Sequence, residues 1–95
     1  MTPLALAKEA ARLSEEMVKL AHTQEWDALV ETERRRAALL AGLSPDSLSA
    51  TAKLEFIDLL KHIQQCDLDV RSHVEPWMAS VKTLLAGLQG SAKDK

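Results

Sequence analysis

His62 and Cys66 stand four residues apart, a spacing that sets two side chains on one helix face, and imidazole with thiolate is a pairing that holds zinc. Two ligands do not close a metal site, and His73 lies about three helical turns beyond His62, too far along the same helix to complete it. A Cys–His nucleophile fares no better, because two residues on one helix bring no oxyanion cradle with them. Cys66 is therefore expected to be a reduced and dispensable thiol. Glu33 and Asp67 are the next candidates, carboxylates set in the middle of otherwise apolar helix faces. An acid–base pair must reach one substrate, yet these two lie about three turns apart along a bundle. The expected role is ion pairing: Glu33 with Arg12, or with Arg36 at i+3, and Asp67 with the amides or the Trp26 indole at the turn from His22 to Trp26. The run Arg34-Arg35-Arg36 is a solvated face, since Glu31 precedes Arg35 by four and no aromatics interleave it. No glycine-rich phosphate loop occurs. No catalytic, cofactor or metal residue is expected, and an enzyme is not.

The surrounding composition agrees. Of 95 residues, 46% are hydrophobic, with one Phe, no Tyr and a net charge of −2, which favours an all-α fold of Leu- and Ala-rich helices. The acidic balance argues against a nucleic-acid partner, whose phosphates need a basic surface. The single cysteine fits a reducing, cytoplasmic setting. No run is long and apolar enough for a membrane span, and Met1-Thr2-Pro3-Leu4 lacks the basic start of a secretory signal.

Start and stop signals divide the chain, one domain over residues 1–95, into three helices. Thr2-Pro3 pairs an N-cap with proline at the first helical position, and Leu6, Ala10, Leu13, Met17 and Leu20 mark an inner face, giving a first helix over about 3–21. Thr23 caps a second over about 24–41, with a face of Trp26, Leu29, Val30, Ala37 and Leu40 and a stop at Gly42. Ser44-Pro45-Asp46-Ser47 opens a third, over about 46–88, with Ser47, Ser49 and Thr51 leaving its exact start open. The short connections imply an antiparallel three-helix bundle.

The third helix outruns the others. Phe56, Leu60, Ile63, Asp67, Val70, Val74, Trp77, Val81, Leu84 and Leu88 form one stripe at alternating spacings of four and three, and the phase passes through Pro76. Counted from the loop, everything past Asp67 overhangs, about 27 Å from Val70 to Leu88 if straight. Pro76 kinks or breaks the helix, and a fold-back into a fourth helix is the alternative. The overhang supplies the expected partner-binding residues: Val70, Val74, Trp77, Met78, Val81, Leu84 and Leu85.

These residues resemble a family, the FliT flagellar export chaperones. Glu25-Trp26-Asp27, Leu29, Glu33, Arg36 and Leu40 are similar to that family's tryptophan-containing second helix, and Ile63, Asp67, Val70 and Val74-Glu75-Pro76-Trp77-Met78 resemble its long helix. The resemblance covers most of the chain. It implies a cytoplasmic type III secretion chaperone that binds the C-terminal region of the filament-cap protein FliD, with the export ATPase complex as a further partner. It also implies, for some members, contact with the flagellar transcription regulator and an additional C-terminal helix that occludes the binding surface. This sequence ends at Lys95 without residues for such a helix, so ungated binding is expected. The alternative is a self-associating structural or regulatory protein, a homodimer formed through the same overhang.

Overall fold

The computed structural model describes residues 2–44 and 48–93, with side chains described as far as Leu88. It is all-helical there, with α1 (Pro3–His22), α2 (Trp26–Ala41) and α3 (Ala50–Lys93). α1 begins as its sequence expects: Thr2 Oγ1 accepts from the Ala5 N–H at 3.1 Å and Pro3 occupies the first turn.

The turn that follows differs from expectation. Thr23 ends α1 instead of opening α2, which starts at Trp26 with Glu25 at its N-cap. Gln24 takes a left-handed φ of 58°. The Gln24 N–H donates to the Ala21 carbonyl and the Glu25 N–H to the Leu20 carbonyl, so three residues close α1 in the double hydrogen-bonded form usually built on glycine.

The start of α3 also moves. Residue 46, the expected beginning, lies outside the described residues with Pro45 and Ser47, but Leu48 and Ser49 are not helical. Ser49 is the cap, its Oγ accepting from the Ala52 N–H at 3.2 Å. α3 then runs unbroken through Pro76 to Lys93, past the expected end near Leu88. The expected break, and with it the fold-back, is corrected. The molecule is 65 Å long, the length of such a helix at about 1.5 Å per residue. Ser72 and Pro76 are both exposed, so solvent can satisfy the carbonyl that the missing proline N–H leaves free.

α1 is the central element. Its buried side chains are Ala7, Ala10, Ala11, Leu13, Ser14, Met17 and Ala21, and the four alanines and the serine among them let two other helices approach it closely. The expected face of α1 was one stripe; the observed face is broader because α2 and α3 both pack against it. Lys8 meets Glu55, Glu15 meets His62 and His22 meets Asp69, so contacts advance together along α1 and α3. Those with α2 run in the opposite order: Ala10 and Ala11 share a cluster with Leu40, and Met17 and Ala21 one with Leu29.

The same contacts reset the register of α3. Ile63 lies in the cluster with Leu40, so the first turns of α3 extend past the end of α2, where Phe56 is buried and Leu54 and Ile57, on the outward side of the helix, are exposed. The connection from Gly42 to Ser49 can span up to about 26 Å, long enough to permit this offset where a tight hairpin would forbid it. Asp67 consequently stands level with Arg36, not with the turn from His22 to Trp26. Trp26 is level with Trp77, about 15 Å farther along α3.

Candidate functional site

Between the two apolar clusters one polar residue from each helix joins a shared hydrogen-bonded layer of Ser14, Arg36 and Asp67. Arg36 donates to Asp67 Oδ1 at 2.6 Å and to Ser14 Oγ at 3.0 Å, and the Ser14 hydroxyl donates a hydrogen bond to the Ala10 carbonyl at 2.9 Å. The Arg36 side chain is only 12% exposed. Asp67 thus has a guanidinium partner in place of the amides or the indole expected for it. One misplaced turn would leave a charge buried alone, at a cost of several kcal/mol, so the layer fixes the mutual register of the helices.

Glu33 is the corresponding correction on α2. It is exposed, as are Val30 and Ala37, and the inner face is instead Leu29, Thr32, Arg36 and Leu40. The reason is chemical: Thr32 satisfies its hydroxyl on the Ala28 carbonyl at 2.8 Å, and Arg36 is neutralised by Asp67. Two polar residues therefore occupy inward positions that an apolar count passes over. Arg12, the other expected partner of Glu33, pairs on the surface with Glu9 and Glu16, its hydrogen bond holding the Glu9 carboxyl below the usual carboxylate range. Glu31 meets Arg34 at 3.9 Å instead of Arg35.

His62 and Cys66 do share a side of α3, with Sγ 3.7 Å from Nε2, and the His62 ring meets Glu15 at 2.8 Å. Burial pushes the Cys66 thiol up, with Glu15, Asp67 and Asp69 adding to the effect against the Arg36 charge. Such a thiol is protonated and a poor nucleophile. His73 does not join this pair; it meets His22 of α1 and Asp69. Sequence reasoning missed that grouping. The i,i+4 pair Asp69–His73 was visible, but His22 joins it only once the register of α3 is known.

The expected partner-binding residues divide into two groups. Val70 and Val74 are half-buried against Met17, Ala21 and Leu29, so the overhang begins later than the sequence suggests. Trp77 marks the boundary: its ring lies 5.4 Å from that of Trp26, tilted by 39°, yet the residue is 44% exposed. Beyond it, Val81 is half-buried and Met78, Leu84, Leu85 and Leu88 are exposed, Leu84 to 68% and Leu88 to 70%.

At about 100° per residue all eight side chains from Val70 to Leu88 fall within an arc of roughly 120°. Glu75, Ala79, Lys82 and Thr83 lie on the other side. The bare apolar face is therefore the direct continuation of the face that α1 and α2 cover lower down. From Trp77 to Leu88 it is carried on about 17 Å of helix. Rows of this kind are suited to hydrophobic contact with another protein and offer little for bond-making chemistry.

No helix among the described residues is long and apolar enough to cross a membrane. No curated protein and no solved structure matches the chain significantly. The family model for the flagellar protein FliT matches residues 4–93. With that match running from the first turn of α1 to the last of α3, the chain belongs to the FliT family of flagellar chaperones.

Proposed function

We propose that this protein is a cytoplasmic export chaperone that holds the C-terminal region of the filament-cap protein FliD and delivers it to the type III export apparatus. The observation that carries this reading is the stripe on α3, covered as far as Val74 and largely bare from Met78 onward, where only Val81 is half-buried among the described residues. A client helix laid along Trp77, Met78, Val81, Leu84 and Leu85 would complete the packing that α1 and α2 give to Val70 and Val74. Covering the client's own assembly surface would keep it from associating before secretion. Pro76, by freeing the Ser72 carbonyl, gives the projecting segment a place to kink toward the client. Contacts with the export ATPase complex and with a flagellar transcription regulator belong to the same reading.

Isothermal titration of the full chain with a peptide from the FliD C-terminal region tests it. Trp77→Ala is expected to weaken binding by more than about twentyfold, the loss of an interfacial aromatic anchor worth over about 2 kcal/mol, with the fold kept by circular dichroism. Unchanged affinity in a folded Trp77→Ala variant overturns the assignment of the face. Light scattering on the same samples separates the competing self-association: a dimer that persists in excess peptide favours a structural homodimer over a client site.

A further inference from the structure

His22, Asp69 and His73 converge where the end of α1 lies beside α3, and each offers one ligand atom to the same small volume. His22 Nε2 is 3.0 Å from His73 Nε2 and 3.5 Å from Asp69 Oδ1, and His73 Nε2 is 3.3 Å from the same oxygen. The three atoms form a nearly equilateral triangle. A tetrahedral ion bonded at about 2.0–2.1 Å to nitrogen and oxygen ligands holds those ligands about 3.3 Å apart, so the triangle already has the dimensions of one face of such a tetrahedron. Bringing all three edges to that value moves the ligand atoms by only a few tenths of an ångström, and aiming both Nε2 lone pairs at one ion also swings the two rings, 4.0 Å apart between centroids, farther from each other.

We propose that His22, Asp69 and His73 form a binding site for a divalent transition-metal ion, with Zn2+ the best match. Two imidazoles and one carboxylate suit zinc in both ligand type and geometry. Asp69 and His73 stand four apart on α3 and are positioned by one helix, while His22 comes from the last turn of α1. The ion would tie the two helices together one turn below Trp77, where α3 leaves its supports. Its fourth position faces solvent, since the His22 and Asp69 side chains are about half exposed. Without metal the two rings share one hydrogen bond between Nε2 atoms and a common neighbour in the Asp69 carboxylate. Metal-binding is independent of the client reading and needs no partner protein.

Titration of the tag-free, chelator-treated full chain with Zn2+ by calorimetry, and with Co2+ by visible absorption, tests the site. One ion per chain is expected, with the Co2+ spectrum of a tetrahedral centre and a melting temperature that rises with Zn2+ and returns with chelator. His22→Gln and His73→Gln, which keep a polar side chain at an exposed and a half-buried position, are each expected to lower affinity at least tenfold and to abolish the Zn2+-dependent rise in melting temperature. His62→Gln, outside the triangle, is expected to bind as the parent does. Absence of saturable binding overturns the proposal. So does binding that survives both His22→Gln and His73→Gln, or that is lost in His62→Gln.

Discussion

The two halves of α3 carry the same apolar stripe and meet opposite fates. From Phe56 to Val74 the stripe is pressed against α1 and α2, with Phe56, Ile63 and Cys66 buried; from Met78 to Leu88 it is largely in solvent. Residue type does not distinguish them, because both halves present large aliphatic side chains at spacings of four and three. What differs is length: α1 ends at His22, beside His73, and α2 begins at Trp26, beside Trp77. An apolar helix face thus stabilises this fold only as far as its neighbours reach, and past that point it becomes surface available to another molecule.

The sharpest way to break the comparison is to truncate matched aliphatic residues in the two halves. Ile63→Ala, at a position 6% exposed, is expected to cost about 3 kcal/mol through lost burial and the cavity left behind. Leu84→Ala is expected to stay within about 0.5 kcal/mol of the parent. Urea denaturation of both variants measures this directly, and equal losses would mean that the upper half is also packed within the monomer.

The polar layer offers the next largest effect. Arg36→Ala leaves Asp67 without its guanidinium and Ser14 without a donor, and is expected to cost about 2 kcal/mol, less than a fully buried pair because the Asp67 side chain is 40% exposed. Arg12→Ala, which breaks only surface pairs, should leave the denaturation midpoint unchanged. A midpoint that moves for Arg12 and not for Arg36 would place the register-setting contact elsewhere.

At the boundary itself, a double-mutant cycle of Trp26→Ala and Trp77→Ala is expected to give a coupling energy of about 1 kcal/mol, the worth of a tilted aromatic pair. A coupling of zero would move the end of the covered region back to Val74. The smallest expected change lies in the turn that sets where α2 begins. Gln24→Gly removes the side chain from a left-handed position and should stabilise the protein by about 0.5 kcal/mol, seen as a slightly higher urea midpoint. A lower midpoint would show that the glutamine side chain has a role there beyond its backbone.

Much of the helical layout was legible in the residues. Thr2-Pro3 specified the start of α1, Gly42 the stop after Ala41, and the spacing from Phe56 to Leu88 the apolar face of α3, though not its ends; these are local signals, set by capping chemistry and helical period. The inner face of α2 was not legible, because Thr32 and Arg36 are buried only by virtue of partners, one on its own helix and the other on α3. Nor was the cap at Ser49, with Ser44, Asp46 and Ser47 as competing candidates in the same stretch. The partner-binding face was legible as a stripe, but its boundary was not.

By itself, then, the amino-acid sequence determined that this chain forms three helices, that the third is far longer than the others, and that its apolar stripe runs on through Pro76. The tertiary structure alone decided how far α3 slides along α1, and from that single offset follow the pairing of Arg36 with Asp67, the meeting of His22 with Asp69 and His73, and the emergence of the bare face after Trp77. The physical reason is that helix formation depends on neighbours within a few residues, whereas the offset depends on a connection free to span many ångströms and on which layers of side chains can satisfy one another across three helices.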